Sequence, residues 1–187
     1  MPENRRTQRR ARERLPALSG EDCRVLQHAA LLGYRFDALL LALATQRDLT
    51  GLIASLVRCG AAGIIVAADD DGYRWRFNHG LTHQRFAGSV APHRRPRYHE
   101  RVLAALETVP DSASRVDQLA YHALESGDRD KTRLYNERAG DLAFQLRALP
   151  EAGQYFQVAL RAATGDSARV RLLAKIAAVQ EHSRTPT

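Results

Sequence analysis

Hydrophobic residues recur along most of the chain at the spacing of amphipathic helices. Ser19 and Asp22 stand three residues apart, as in a helix capping box, and an apolar stripe follows them until Gly33. A second apolar run covers residues 36–44, and a third stripe, spaced i, i+3, i+4, i+7 and i+8, starts after Asp48. The pattern predicts three helices in the first third of the chain.

The periodicity changes to that of a strand pair between residues 64 and 77. Apolar β-branched residues at 64–66 precede a turn sequence at 69–72, and aromatic residues at 73, 75 and 77 then alternate with arginines. Three helices followed by a hairpin predict a winged-helix-like domain over residues 15–92, with an arm of residues 1–14 before it.

The helical period returns after the hairpin and predicts antiparallel helical hairpins over residues 93–182, with a short tail at 183–187. Gly140, Ala152, Phe156 and Ala159 match the small and aromatic positions of a tetratricopeptide unit, which is expected at about residues 133–163. A generic helical hairpin is the alternative. The predicted fold is therefore mainly α, with one small β-hairpin.

The last helical stripe, from residue 166 onward, has the pattern of the first helix of a further unit whose second helix does not follow. Such a helix would keep one apolar face uncovered. Leu173, Ile176 and Val179 are therefore predicted to form a protein-docking face.

Charge is concentrated at the start of the chain. The net charge is +7, and six arginines lie within residues 1–14, where the sequence predicts a flexible or helical arm. Clustered arginines release counterions when they bind phosphates, so the arm is a candidate site for nucleic acid or an acidic partner. The six candidates are Arg5, Arg6, Arg9, Arg10, Arg12 and Arg14.

The winged helix itself offers little for reading DNA. Its third helix is expected to expose residues 50, 51, 54, 55 and 58, of which one is charged, and Asp69, Asp70 and Asp71 occupy the tip of the wing. Carboxylates there would repel phosphates. These features favour a protein-contacting winged helix, and a small DNA-binding regulator that uses the arm and the wing is the alternative.

No catalytic or metal-binding pattern emerges. Lys131 and Lys175, the only lysines, are not in a Gly-Lys-Ser/Thr sequence, and no nucleophile elbow is found. His79 and His83 are spaced i, i+4 without further ligands, while Cys23 and Cys59 fall in apolar helical stripes. We therefore predict a non-enzymatic protein without metal or cofactor. The chain has no long apolar run and no signal sequence, so a cytoplasmic location is expected.

Five segments, taken in order, resemble the STAND-type signalling ATPases, which include the MalT-like and large LuxR-type transcriptional regulators. They are LPALSGEDCRVLQHAALLGYRFD (15–37), LIASLVRCGAAGII (52–65), YRWRFNHGLTHQRFAGSV (73–90), VDQLAYHALESGD (116–128) and LYNERAGDLAFQLRALPEAGQYFQVAL (134–160). The resemblance covers the winged helix and helical repeats of that family, without its P-loop ATPase and its C-terminal helix-turn-helix.

The resemblance implies a regulatory module, either truncated or split from a larger regulator. Its expected partner is a protein, either a P-loop ATPase or a second copy of the chain. His79 in RFNHGL is similar to the histidine of the family's Met-His-Asp-like motif, which senses bound nucleotide; a structural role for His79 is the alternative.

Overall fold

A computed structural model describes residues 18–109 and 115–184 of the protein. Within these residues the chain is mainly helical, with one small antiparallel sheet of three strands, which confirms the predicted fold class. The chain divides into two compact units, Met1–Ala91 and Pro92–Thr187.

The first unit has the element order of a winged helix. Its helices are α1 (Gly20–Leu32), α2 (Ala38–Thr45), α3 (Leu49–Ala61) and α4 (Gly80–Ser89), and its strands are β1 (Arg35–Asp37), β2 (Ile65–Ala67) and β3 (Arg74–Phe77). Strand β3 lies between β1 and β2 and is antiparallel to both. The hairpin β2–β3 lies where the sequence predicted the wing, and residues 46–48 connect α2 to α3.

Side-chain oxygens start the first three helices. At α1, the predicted capping box is present: the Asp22 amide donates to Ser19 Oγ at 3.0 Å, and the Ser19 amide donates to Asp22 Oδ2 at 3.3 Å. Asp37 accepts hydrogen bonds from the first amides of α2, and Asp48 accepts one from the first turn of α3. Because the first amides of a helix have no partner within it, these three acceptors define where each helix begins.

Strand β1 differs from the sequence prediction, which placed residues 36–44 in one helix. Phe36 lies in β1 opposite Trp75, and α2 begins at Ala38. Gly33 has a φ of 152°, which side-chain-bearing residues rarely adopt, and it redirects the chain from α1 into the strand. The predicted hairpin is therefore a three-stranded sheet.

The core of the first unit lies between the three N-terminal helices and the inner face of the sheet. Leu26, Leu41 and Leu56 come from α1, α2 and α3, and Trp75 and Phe77 cover them from β3. Tyr73 was expected on the same aromatic face, but it precedes β3 and is 47% exposed. Alternation on β3 thus starts at Arg74, because pairing with β1 begins there.

The second unit consists of helices that pack on one another in sequence order. They are α5 (Arg95–Thr108), α6 (Val116–Ser126), α7 (Arg129–Gln145), α8 (Leu149–Ala162) and α9 (Asp166–Arg184), and one 3₁₀ turn (Pro92–Arg94) precedes them. Helix α7 packs on α6 and α8, and α9 packs on α8. Helix α9 runs to Arg184, into the segment expected to be a tail.

The first two helix pairs of the second unit start about 34 residues apart. Helix α5 begins at Arg95 and α7 at Arg129, which are 34 positions apart. This is the length of a tetratricopeptide repeat, and each of the two helices is followed by its own partner, α6 or α8. The period extends the tetratricopeptide-like arrangement beyond the single unit predicted at about 133–163.

The pair α7–α8 shows why small residues are needed at this interface. The Phe156 ring lies against Gly140, where an added Cβ would be 2.5 Å from ring atoms Cδ1 and Cε1. Phe156 is 2% exposed, and Ala152 and Ala159 on either side of it are fully buried. The absence of a side chain at Gly140 lets the two helices approach closely enough to enclose the ring.

We predict that Gly140→Ala destabilises the second unit. The clash with Phe156 costs about 1 to 3 kcal/mol, which outweighs the gain in helix propensity of about 1 kcal/mol. In a Phe156→Leu background the same substitution should cost less, because the ring is gone. Urea unfolding measures both effects.

Gly153→Ala is the matched control, since an added Cβ there meets only Val179 Cγ1 at an ordinary 3.7 Å. This variant should be as stable as the parent or more so. If Gly140→Ala were equally neutral, the close approach of α7 and α8 at Gly140 would not contribute to stability.

Candidate functional site

A buried carboxylate joins α1 to α3 in the first unit. Asp22 is 3% exposed, and Arg58 donates to it through Nη2 at 2.7 Å and Nε at 3.3 Å. The Ser55 hydroxyl donates to the same carboxylate. Arg58 lowers the pKa of Asp22 far below its usual value, and the hydroxyls of Ser55 and Ser19 add to this against the opposing effect of burial. The carboxylate is therefore ionised, and both of its oxygens accept hydrogen bonds.

This contact changes the expected surface of α3. Ser55 was predicted to point outward, but it is fully buried against α1. Arg58, the only cation expected on the outward face, is held by Asp22 instead. The exposed positions of α3 are Thr50, Gly51, Ala54, Val57, Arg58 and Ala61. A helix that reads DNA bases needs side chains with free donors, and this face offers almost none.

Helix α2 exposes apolar side chains to solvent. Its sequence ALLLALAT carries no charge, and Leu40 and Leu41 face the core. Leu39 and Leu43, one turn apart on the opposite side, are 47% and 46% exposed. A helix that is apolar all round is usually covered on all sides. These two leucines were not predicted as a site from the sequence, although an uncharged helix of eight residues indicates such a surface.

The wing tip is acidic, as predicted. The Arg74 amide donates one bifurcated hydrogen bond to both carboxylate oxygens of Asp69 at 3.1 Å, which closes the turn, while Asp70 and Asp71 are exposed. The solvent-facing side of the sheet is basic, because Arg35 on β1 pairs directly with Arg76 on β3. The wing tip is therefore negatively charged, and the solvent-facing side of the sheet is positively charged.

The two histidines at the start of α4 have different environments. His83 is half-buried, and its Nε2 donates to the Ala30 carbonyl at 2.9 Å, with the Phe77 ring in edge contact. His79 occupies the N-cap position of α4, where its side chain makes no capping hydrogen bond and is exposed. His79 is thus accessible for contact with a ligand or partner, whereas His83 ties α4 to α1.

A pair of buried histidines joins α5 to α6 in the second unit. His99 and His122 are each 1% exposed, and their Nδ1 atoms lie 2.8 Å apart. One Nδ1 must donate and the other accept, so the two neutral rings adopt opposite tautomers. Burial, with the charge of Arg95, lowers the pKa of His99 to about 4; burial and then His99 lower that of His122 to about 3. Sequence periodicity gave no signal for this pair.

A network of charges joins α7 to α9. Glu137 binds Arg171 in a two-point contact of 2.8 and 3.1 Å and also contacts Lys175 at 3.0 Å. Lys175 binds Asp141 as well, at 2.7 Å. Arg171, with the other cations, lowers the pKa of Glu137 to about 2. Lys131, the other lysine of the chain, pairs with Glu107, so both lysines take part in ion pairs.

The predicted docking face of Leu173, Ile176 and Val179 is wrong as a single surface. Val179 is 6% exposed and belongs to the core with Phe156, and Ile176 packs against that core. Leu173 is 53% exposed and lies on the other side of α9 with Val170, which is 67% exposed. The prediction failed because Ile176 and Val179 pack with Leu172 against the core around Phe156, whereas Leu173 does not.

The other features predicted from the sequence add no further candidate site within the described residues. The arginines of the arm at 5–14 lie outside the described residues. Burial raises the pKa of the Cys59 thiol to about 12, which keeps it protonated and unreactive. In residues 18–109 and 115–184, no three His, Cys, Asp or Glu side chains are grouped to hold a metal. Over the same residues, no helix combines the length and hydrophobicity needed to cross a bilayer.

Comparison of the chain with protein families, curated proteins and solved structures found no match.

We predict that acid destabilises the second unit through its histidine pair. Because the pKa values of His99 and His122 are lowered from 6.5 to about 4 and about 3, the unfolded chain binds more protons below pH 6.5. Stability from this source is complete above pH 6.5 and decreases below it, by up to about 1.4 kcal/mol per pH unit for each histidine. Urea unfolding followed by circular dichroism measures the slope.

The double variant His99→Phe/His122→Phe serves as the comparison. Removing both imidazoles should flatten the dependence of stability on pH between about 4 and 6.5. An unchanged slope in this variant would assign the acid sensitivity to other groups.

Proposed function

We propose that the chain is a non-catalytic, cytoplasmic protein-interaction module of the regulatory type found in the middle of STAND-type transcriptional regulators. Its first unit contacts a protein partner, for which a P-loop ATPase of the same type is the leading candidate. The observation that carries this proposal is the exposed apolar surface of α2, formed by Leu39 and Leu43.

The character of the neighbouring helix supports a protein partner over DNA. In helix-turn-helix proteins the second helix of the pair reads bases, yet α3 exposes small and apolar residues such as Ala54 and Val57. The guanidinium of Arg58 is used within the unit. Uncovered apolar side chains gain most from burial against another apolar surface, at about 25 cal/mol for each Å² removed from water.

The location of His79 is compatible with the nucleotide-sensing role that the family resemblance implies. The residue lies at the first turn of α4, and its side chain is exposed. In this proposal His79 contacts nucleotide held by the partner ATPase, because neither lysine of this chain has a phosphate-binding sequence context.

We predict that Leu39→Lys/Leu43→Lys abolishes association with a STAND-type ATPase of the same organism. Both side chains are about half exposed, so the variant should keep its helical circular dichroism spectrum while its docking surface becomes cationic. Size-exclusion chromatography with light scattering, with and without the ATPase, measures the complex.

Leu124→Lys is the matched control, since Leu124 on α6 of the second unit is a leucine that is also 47% exposed. This variant should associate like the parent. Association that survives Leu39→Lys/Leu43→Lys, or that is absent from the parent, contradicts the proposal.

A second candidate function is a small DNA-binding regulator, which the Arg35–Arg76 pair on the outer sheet face favours. Two guanidinium groups side by side on an exposed surface attract phosphate, and the arm of residues 1–14 would add to this. The wing carboxylates Asp70 and Asp71 oppose it.

We predict that the chain binds duplex DNA only through charge. Fluorescence anisotropy should show weak binding that is equal for unrelated sequences, decreases steeply with salt and is lost on deletion of residues 1–14. Strong preference for one sequence, abolished by the deletion or by Arg35→Ala/Arg76→Ala, would favour the DNA-binding regulator instead.

A further inference from the structure

The outer face of the sheet in the first unit carries three arginines. Trp75 and Phe77 on β3 face the core, so the residues that alternate with them point to the opposite side. Arg74 and Arg76 therefore lie on the outer side, and Arg35 on β1 is the direct partner of Arg76. Arg35 and Arg74 are exposed, and Arg76 is half-buried. We call these three arginines the basic face.

The positive charge of the basic face is not neutralised by its surroundings. Among residues 18–109 and 115–184, no hydrogen bond or ion pair engages the three guanidinium groups. Asp37, the partner of Arg74 in the sheet, uses its Oδ1 to accept hydrogen bonds from the first amides of α2. Like charges at direct cross-strand positions, about 5 Å apart, are destabilising. A carboxylate from outside the unit would therefore stabilise this face.

Two carboxylates lie at the end of the same hairpin. The Ala68 amide donates to the Arg74 carbonyl at 2.7 Å, and the turn beyond this pair carries Asp70 and Asp71, which are exposed. Asp71 precedes Arg74 by three residues, so their backbones are within about 10 Å of each other. We call Asp70 and Asp71 the acidic tip. A negative surface and a positive surface are thus direct neighbours on the hairpin.

The charge along this hairpin changes sign at Tyr73. The acidic tip precedes this residue and the arginines of β3 follow it, and the Tyr73 side chain is 47% exposed. Two adjacent patches of opposite charge are self-complementary, because rotation by half a turn about an axis between them places each patch on its opposite. Tyrosine is also enriched at protein interfaces. The hairpin therefore has the charge order that a two-fold symmetric contact needs.

We propose that a second copy of the chain binds this hairpin in a two-fold symmetric contact. The basic face of each copy meets the acidic tip of the other, and the two Tyr73 side chains lie near the symmetry axis. Guanidinium and carboxylate groups form two-point ion pairs, a geometry that arginine provides and lysine does not. The inference goes beyond the proposed contact with an ATPase, because it uses the sheet and the wing instead of Leu39 and Leu43.

A partner that carries only one sign of charge fits this surface less well. Phosphates drawn to Arg74 come within about 10 Å of the acidic tip, the range over which charges interact at about 0.1 M salt. An acidic peptide meets the same repulsion. The occupant must carry both signs of charge in the reverse order, and a second copy does so by symmetry.

The contact is expected to be weak and sensitive to salt. It is built from the basic face, the acidic tip and Tyr73 of each copy, which is fewer than the roughly 20 to 30 residues a side of a stable dimer. Contacts of this small size are typical of transient complexes. Their ion pairs speed association and are screened as the salt concentration increases.

The test compares two charge-reversed variants of the full chain by sedimentation velocity at low and high ionic strength. The parent should form a dimer at low ionic strength that dissociates when salt is added. Arg35→Glu/Arg76→Glu places carboxylates against the acidic tip, and Asp70→Arg/Asp71→Arg places guanidinium groups against the basic face. Each variant should raise the dissociation constant of the dimer at least about tenfold, because like charges then oppose each other.

An equimolar mixture of the two variants is the decisive measurement. In the mixed dimer each positive surface again meets a negative one, so the mixture should dimerise although neither variant does so alone. Restoration also shows that both variants are folded. Arg24→Glu/Arg85→Glu is the matched control, since it changes the net charge as much as Arg35→Glu/Arg76→Glu does, at exposed arginines on α1 and α4. This control should dimerise like the parent.

Several outcomes would overturn the inference. A parent that stays monomeric at low ionic strength would do so, as would a dimer that either variant leaves intact. A mixture that stays monomeric would show that the two surfaces do not meet each other. A monomeric parent whose binding to DNA requires Arg35 and Arg76 would make phosphate the occupant. If the parent is monomeric while Leu39→Lys/Leu43→Lys still abolishes ATPase association, the inference fails and the proposed function stands.

Discussion

A carboxylate removed from water must gain its stabilisation from nearby donors, and each unit places such a group between helices that are not neighbours in sequence. Asp22 joins α1 to α3, and Glu137 joins α7 to α9, in both cases through the guanidinium of an arginine. These contacts determine the register of the helices they join. They also engage Arg58 on α3 and Arg171 on α9, whose side chains remain about half exposed.

The surfaces that result are more apolar than the basic composition suggests. A net charge of +7 invites a nucleic-acid interpretation, but position matters more than total charge. Six arginines belong to the first fourteen residues, and Arg58, Arg171 and both lysines are held in ion pairs. The exposed residues of α2 are two leucines, whereas α9 exposes Val170 and Leu173 beside charged side chains such as Arg169.

Features that depend on neighbouring residues could be predicted from the sequence, whereas contacts between distant segments could not. The Ser19–Asp22 box, the glycine at 140 and the acidic turn are defined by neighbouring residues, so the pattern predicted them. Strand β1 has three residues and exists through pairing with β3, almost forty positions later. The burial of Ser55 and Leu172 depends on which neighbouring helix packs against α3 and α9. Hydrophobic periodicity defines the buried face of a helix only to within about one residue. The 34-residue spacing is a property of the sequence, but it becomes apparent only from the contact between Glu137 and Arg171 in the structure.

The hydrogen bond between His99 and His122 has a consequence for how this sequence can evolve. Neither ring can change alone without leaving a buried nitrogen of the other unsatisfied, whereas two apolar residues of similar size would satisfy the same space. Positions 99 and 122 should therefore covary among related chains, either both histidine or both apolar. A lineage that loses one member of the pair must pass through a less stable intermediate before the second substitution restores the contact between α5 and α6.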